Sequence, residues 1–337
     1  MDKRLLNPYQ NVDWSCPQYK AAFHTHAANT EIGGVAYGCH GSLLHADIID
    51  SYHAAGYKVL AFTEHDFYGG LQTGASYSTV TSYPWDIFQR HANSLGMTDI
   101  EGKELSRNDH VVSLFNDLAD WQGVGFDEIP ELLREIKRSG GLSILVHPGR
   151  YKRNPGIVYA WHKQAFNSLL GIEVYNQGQK HPEDLTLWDR LIEKRAGDAS
   201  AKAPTVWGFS NDDMHVGEHK FREYQYVISP ERTKNAIKNA LRKGNFYFCY
   251  EPNGDGVSKT PKINTIIVNE NNKTVNIEAS NFDSVKWVVN RQATSNQTLT
   301  HTYNENQQYF RAVLENEHGL TYTQPWILQT TYARRWK

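Results

Sequence analysis

The stretches KAAFHTH at residues 20–26 and KVLAFTEHD at residues 58–66 share one design, a short apolar run that ends in polar, histidine-bearing residues. Two later stretches repeat it, LSILVHPGR at 142–150 and TVWGFSNDDMH at 205–215. A third apolar run, LGIEVYNQG at 170–178, ends in polar residues without a histidine. Short apolar runs bounded by polar residues predict buried strands. The sequence therefore predicts several buried strands whose ends carry chemically active side chains.

Helix-like segments lie between these runs. Residues 42–55 have apolar side chains at helical spacing, and Gly56 follows as a stop signal. Asp127 is a predicted N-cap for a helix that Gly140 and Gly141 end, and further helices are predicted over 182–195 and over 230–243, before Gly244. Alternating strands and helices predict an α/β fold with a parallel sheet or barrel, in which active sites collect at the carboxyl ends of the strands.

The pattern changes after about residue 255. Short alternating runs rich in Thr, Val, Tyr and Trp, such as INTIIVN at 263–269 and VKWVVNR at 285–291, follow the linker-like stretch GDGVSKTP. Such runs with Asn and Gly turns predict a small antiparallel β-sandwich. We therefore expect an α/β unit over 1–254 and an accessory β-domain, without a catalytic cluster, over 255–337.

Composition excludes several classes of protein. The net charge of −2 over 337 residues offers no extended basic surface for nucleic acid. Cys16, Cys39 and Cys249 are too few and too far apart for a disulfide framework. No apolar run reaches membrane-spanning length, and the N-terminus lacks the pattern of a signal peptide. The location is left open between the cytoplasm and export with a signal removed, and the oligomeric state is left open too.

Two pairs of residues have the spacing of metal ligands. His24 and His26 are two residues apart, as are Asp213 and His215, so in extended chain each pair points to one side. His65 follows a buried strand, and the neighbouring carboxylates Glu64 and Asp66 are candidates to fix its tautomer. On its own, His40 is interpreted as a loop histidine.

A carboxylate and an arginine complete the set of candidates. Glu104, in GKELS with His110 following, can bridge two cations, which imidazole rarely does. His147 ends an apolar strand, and Arg150 offers a planar fork suited to phosphate oxygens. The aromatic loop at 68–84 includes Tyr68, a candidate to stack on a substrate, although a loop packed by its own aromatic residues fits the pattern equally well.

The number and chemistry of the candidates predict more than one ion. A single zinc needs about four ligands, so this set suits two or three divalent ions. Imidazole with carboxylate favours Zn, Mn or Fe over Ca or Mg. Adjacent cations lower the pKa of a bridging water and neutralise phosphoryl oxygens.

These motifs, taken in order, resemble the PHP (polymerase and histidinol phosphatase) superfamily. The resemblance rests on HTH at 24–26, TEHD at 63–66, GKELS at 102–106 with His110, HPGR at 147–150 and DMH at 213–215, and it spans roughly residues 20–250. It implies a distorted (β/α)7 barrel with a trinuclear metal centre and hydrolysis by a metal-bridging hydroxide. The ligands that it implies are His24, His26, His65, Glu104, His110, His147, Asp213 and His215, with His40 standing where many relatives carry Asp-Gly.

The leading expectation is a metal-dependent phosphoesterase acting on a small phosphorylated substrate, either a monoester or a diester. Arg150, His147 and His215 are the candidate catalytic residues, and Arg150 and Tyr68 the candidate substrate-binding residues. One alternative is an amide or lactone hydrolase that uses the same centre, since such barrels support both reactions. The other is a non-catalytic protein that binds a glycan or a partner.

Overall fold

A computed structural model describes residues 3–66, 68–69, 76–77, 81–106, 108–116, 128–200, 203–294 and 298–330. It is a mixed α/β structure with several sheets and few helices. None of the helices in these ranges is long and apolar enough to cross a membrane.

The strands of the first 250 residues are mostly short, and α-helices separate only some of them. Those of the first part of the chain are β1 (Lys3–Leu6), β2 (Gln18–Ala22), β3 (Thr30–Ile32), β4 (Val35–Tyr37), β5 (Val59–Ala61), β6 (Tyr68–Gly69), β7 (Ser76–Tyr77), β8 (Thr98–Ile100), β9 (Gly102–Ser106), β10 (His110–Leu114), β11 (Leu142–Val146), β12 (Leu169–Asn176), β13 (Trp207–Asn211), β14 (Glu223–Ile228) and β15 (Phe246–Tyr250). Those of the last part are β16 (Lys262–Asn269), β17 (Thr274–Ser280), β18 (Ser284–Val289), β19 (Gln292–Ala293), β20 (Thr300–Thr302), β21 (Tyr309–Asn316), β22 (Gly319–Tyr322) and β23 (Trp326–Thr330).

The helices begin and end at ordinary signals. They are α1 (His45–Ala54), α2 (Ile129–Arg138), α3 (Pro155–Gln164), α4 (Glu183–Gly197) and α5 (Lys234–Lys243). Thr233 caps α5 by accepting a hydrogen bond from the Ala236 N–H, and left-handed Gly244 ends that helix. The four predicted helices are confirmed, while the predicted cap Asp127 lies outside the described residues. Helix α3 was missed, although Asn154 and Pro155 are an N-terminal signal.

Parallel pairing brings the carboxyl ends of the central strands together. Strands β2, β5 and β8 pair in parallel, and so do β11, β12 and β13. Beyond the strand ends, a bridge joins Thr25 to Met214, and another joins His65 to Glu104. The polar residues that follow β2, β5 and β13 therefore meet β9 at one end of the sheets.

Strand β10 departs from the predicted strand-then-helix alternation. It lies antiparallel between β9 and β11, so β9 and β10 form a hairpin rather than two parallel strands joined by a helix. The pairing sets Glu104 opposite Val112 and His110 opposite Ser106. This hairpin brings His110 back beside Glu104.

The C-terminal strands continue the sheet of the first part of the chain. Strand β22 pairs with β15, and β23 pairs with β1, so the order β1-β23-β21-β22-β15-β14-β2-β5-β8 runs through one large sheet. The predicted antiparallel strands are present, and β16, β17 and β20 form a sheet of their own. Buried residues of both sheets share one apolar cluster. The boundary at 254/255 stays a prediction.

A buried ion pair joins the C-terminal strands to α4. Arg311 on β21 donates from Nε to Asp189 Oδ1 at 3.0 Å and from Nη2 to Asp189 Oδ2 at 3.2 Å. Both side chains are buried. Removing one partner of such a pair leaves a buried charge without compensation, which is strongly destabilising.

Candidate metal centre

The ends of the central strands deliver the predicted ligands to one place. His24 and His26 follow β2, His65 follows β5 and His147 follows β11. Glu104 lies within β9, His110 begins β10, and Asp213 and His215 follow β13. Every predicted histidine ligand except His40 has a ring nitrogen in contact with a carboxylate oxygen of Glu104 or Asp213.

Glu104 is buried at the centre of this group, and its two oxygens face different histidines. Oε2 lies 3.2 Å from His24 Nε2, 3.1 Å from His26 Nε2 and 3.1 Å from His65 Nδ1. Oε1 lies 2.6 Å from His110 Nδ1 and 3.1 Å from His147 Nε2. The carboxylate therefore has the position of a bridge between two sets of donors.

Asp213 is a second buried carboxylate in this group. Its Oδ1 lies 3.2 Å from both His24 Nε2 and His26 Nε2, and its Oδ2 accepts hydrogen bonds from Asn176 and Gln177. The backbone φ of Asp213 is +44°, in the left-handed region that few non-glycine residues adopt. Such strain is characteristic of residues that a functional site holds in place.

The arrangement of donors and acceptors requires a positive charge. His24 Nδ1 lies 2.8 Å from Glu173 Oε1, so a neutral His24 donates there and leaves a lone pair on Nε2. That lone pair would face the carboxylates of Glu104 and Asp213, acceptor against acceptor. His24 Nε2, His26 Nε2, Glu104 Oε2 and Asp213 Oδ1 are all buried without a hydrogen-bond partner among the described residues. A cation satisfies all four atoms, so the residues fit a metal ion.

Four sets of donor atoms lie close enough to share an ion. Within each set the ligand atoms lie within 4.8 Å of one another. The sets are His24 with His26, Glu104 and Asp213; His26 with His65 and His215; His65 with Glu104 and His110; and His26 with Cys39 and Glu64. The sets overlap at His26, His65 and Glu104, as in a centre that holds adjacent ions.

The pKa shifts show how strongly these carboxylates favour a positive charge between them. Burial alone would lower the pKa of His24, but Asp213, Glu173 and Glu104 raise it well above its usual value. Burial opposes ionisation of Glu104, yet the surrounding histidines hold its pKa well below the usual range. Burial lowers the pKa of His65 to about 3 and that of His215 to about 4, so both are neutral, ligand-competent imidazoles at neutral pH.

Four predicted residues lie outside these sets. One of them, His147, still contacts Glu104 Oε1 through its Nε2 at 3.1 Å. His40 is exposed, has a backbone φ of +68° and places its ring 5.5 Å from that of His65. Arg150 is exposed, with its guanidinium carbon 5.6 Å from the ring centre of Tyr151. The backbone of Tyr68 lies in β6, and its side chain is outside the described residues. Their roles stay predictions.

Sequence reasoning missed Glu173, which supports two candidate ligands. Besides facing His24 Nδ1, it accepts a hydrogen bond from the His147 N–H at 2.9 Å. Asn176 and Asn211 also donate to it. Glu173 is the carboxylate in the otherwise apolar run LGIEVY, and a charge at that position was the signal available.

Glu64 lies beside a different histidine from the one predicted. Instead of fixing His65, it accepts hydrogen bonds from the N–H groups of Ala27 and Cys39, and its Oε2 lies 3.8 Å from His26 Nδ1. His65 Nδ1 is instead 2.6 Å from Ser106 Oγ. Because the HTH segment passes directly over the end of β5, Glu64 points back towards it.

The turn that carries His147 and Arg150 depends on a glycine. A Cβ on Gly149 would lie 2.8 Å from atoms of His181, Glu183 and Asp184. Asp184 Oδ1 accepts a hydrogen bond from the Gly149 N–H at 2.5 Å. The start of α4 thus anchors the HPGR turn.

Asp184 should make the stability of the protein depend on pH. Burial raises its pKa to about 8, against about 3.9 in an unfolded chain. Between these values the folded chain holds a proton that the unfolded chain has released, so the free energy of unfolding falls as pH rises. Asp184→Asn keeps an acceptor for Gly149 and should lose less stability between about pH 5 and about pH 8. Urea unfolding at both pH values checks this.

The matched control is Asp283→Asn, at an exposed position. It should follow the pH dependence of the parent chain. If Asp184→Asn loses as much stability as the parent over this range, Asp184 is ionised in the folded protein and the expectation is wrong.

Comparison with solved structures identifies a similar fold. A two-domain protein containing a predicted PHP-like metal-dependent phosphoesterase, from Bacteroides vulgatus, matches with a TM-score of 0.54 at 17% identity, over 97% of this chain and 90% of its own. An amidohydrolase from Chromobacterium violaceum matches with a TM-score of 0.36 at 16% identity, over 52% of this chain and 84% of its own. A lesion-specific endonuclease from Pyrococcus furiosus matches with a TM-score of 0.40 at 11% identity, over 67% and 56%.

The last two scores are too low to support an inference. No family model and no curated protein matches the chain. The first match covers nearly all of both chains, including the C-terminal strands. We conclude that this chain shares its fold with the two-domain protein from Bacteroides vulgatus.

Proposed function

We propose that this protein is a metal-dependent phosphoesterase of the PHP type, built on a distorted (β/α)7 barrel. The observation that carries the proposal is the buried Glu104 carboxylate, which faces three imidazoles with one oxygen and two with the other. A carboxylate between two sets of nitrogen donors suits adjacent transition-metal ions, which we propose to be two or three ions of Mn, Zn or Fe.

Each group of residues has a part in this proposal. His24, His26, Glu104 and Asp213 would hold one ion, while His65, His110, His147 and His215 complete the neighbouring positions. When bound, such ions lower the pKa of water and neutralise phosphoryl oxygens. Glu173 fixes the imidazole of His24 and the backbone of His147, and this support keeps the donors in one geometry.

The proposed substrate is a small phosphorylated molecule, either a monoester or a diester. The carboxylates at the centre would repel a bare phosphate, so cations are needed for the substrate to approach. Arg150 lies on the turn that also carries His147 and offers a fork for two phosphate oxygens. Tyr68 is retained as a candidate wall of the substrate pocket.

The direct test combines elemental analysis with a substrate panel. We expect at least one equivalent of Mn, Zn or Fe, and hydrolysis of 4-nitrophenyl phosphate or bis(4-nitrophenyl) phosphate that a chelator abolishes. Hydrolysis of amides or lactones, with both phosphate esters untouched, would replace the proposal with the alternative hydrolase. Less than one equivalent of metal, not restored by addition, would favour a binding protein.

Arg150→Lys should distinguish the contribution of the positive charge of Arg150 to substrate binding from that of its planar pair of donors. Lysine keeps the charge but loses the paired donors, so we expect kcat/KM for phosphate esters to fall about 10-fold, mainly through KM. Steady-state kinetics on the metal-loaded protein measure the change. Arg134→Lys, on the exposed face of α2, is the control and should match the parent. Unchanged kinetics in Arg150→Lys would remove Arg150 from substrate binding.

A further inference from the structure

Tyr151 places a buried hydroxyl group beside the candidate metal centre. It ends the short 3-10 turn Pro148–Tyr151, which also carries Arg150. Its ring centre lies 5.6 Å from that of His110 and 6.1 Å from that of His147. The residue therefore borders the Glu104 Oε1 side of the centre, where these two histidines meet.

The hydroxyl has no hydrogen-bond partner among the residues that the structure describes. Its oxygen is buried, and no group among the described residues accepts or donates a hydrogen bond to it. By contrast, the hydroxyl of Tyr159, in the next helix α3, is hydrogen-bonded, because it donates to Asp198 at 3.0 Å. Buried hydroxyl groups are normally hydrogen-bonded, and the exceptions call for a specific explanation. At this position a bound substrate is the natural acceptor.

The donor groups on this turn indicate that the substrate presents hydrogen-bond acceptors to it. A phenol at neutral pH donates one hydrogen, and a guanidinium donates several and accepts none. The guanidinium of Arg150 lies 5.6 Å from the Tyr151 ring centre, so one turn presents two kinds of donor on the same rim. Phosphoryl oxygens are strong acceptors that suit both.

We propose that the Tyr151 hydroxyl donates a hydrogen bond to a non-bridging oxygen of the substrate phosphoryl group, on the side formed by His110 and His147. The proposal rests on the proposed phosphoesterase function and adds a substrate-contacting residue to it. In this role Tyr151 helps to hold the phosphoryl group and does not ligate a metal ion.

Tyr151→Phe tests this role by removing the hydroxyl group while keeping the ring. We expect inorganic phosphate to bind the metal-loaded variant about 10- to 100-fold more weakly, because a hydrogen bond to a charged acceptor is lost. Titration calorimetry with phosphate gives this readout independently of turnover. The kcat/KM for 4-nitrophenyl phosphate should fall by a similar factor, and metal content should stay at the level of the parent.

Tyr159→Phe is the matched control, because it also removes a tyrosine hydroxyl group, but one that donates to Asp198, which is not a candidate metal ligand. It should bind phosphate as the parent does. If the parent binds phosphate and Tyr151→Phe binds it equally well, the role of Tyr151 is refuted while the phosphoesterase function stands. A loss of metal in Tyr151→Phe would also refute it, by making Tyr151 a support for the ligands. If the parent neither binds phosphate nor cleaves its esters, the proposed function itself fails.

Discussion

Glu104→Gln should reduce phosphate ester hydrolysis by about three powers of ten. The change keeps the size of the side chain and removes the charge that faces five imidazoles at 2.6–3.2 Å. A bridging carboxylate contributes to both sets of donors, so its loss should cost about 4 kcal/mol of transition-state stabilisation. We also expect the bound metal to fall by at least one equivalent, measured by elemental analysis beside the kinetics.

The control for this prediction is Glu270→Gln, an equivalent change on the exposed turn between β16 and β17. It should retain the metal content and the rates of the parent. If Glu104→Gln keeps its full complement of metal and hydrolyses phosphate esters at the parental rate, Glu104 does not bridge ions, and the proposed centre loses its main support.

His147→Ala should abolish most turnover and leave the fold intact. His147 Nε2 lies 3.1 Å from Glu104 Oε1, and the backbone N–H is held by Glu173, so the main chain keeps its anchor in the variant. Loss of one imidazole donor from the His110 side should lower kcat by about 100-fold or more. Circular dichroism and the thermal midpoint should stay close to those of the parent, apart from the effect of a small cavity.

The exposed residue His91 provides the control for this variant, because its Nδ1 contacts only the exposed Asp86 among the groups described around it. His91→Ala should be fully active. Parental rates in His147→Ala would remove His147 from the mechanism. Loss of the folded signal together with activity would instead assign His147 a structural role.

Much of the fold was predictable from the sequence because the central strands are largely apolar. The strand over Leu142–Val146 was predicted with its observed bounds, since every residue in it is buried. The β9–β10 hairpin was missed because its two strands carry Lys103, Glu104 and His110 among apolar residues, and a mixed pattern does not separate strand from loop. Only the pairing partners establish that β10 runs antiparallel.

The candidate ligands that were predictable are those that follow strands in pairs, two residues apart. His24 with His26 and Asp213 with His215 both follow strands at a spacing of two residues, and the structure brings both pairs to Glu104 or to each other. The position of Glu173 depends on which strands are neighbours, and a single sequence does not contain that information. The position of His40 depends on a left-handed backbone conformation in its loop, which residue spacing does not predict.

The pairing of β15 with β22 limits where this chain can be truncated or recombined without loss of its fold. A chain cut after residue 254 would lose the strands that cover the edge of β15 and the partner of buried Asp189. An unpaired strand edge is a template for aggregation, and an uncompensated buried carboxylate is costly. We therefore expect that the two parts of the chain do not fold separately. Recombination that separates the C-terminal segment from the metal-binding part should yield insoluble fragments.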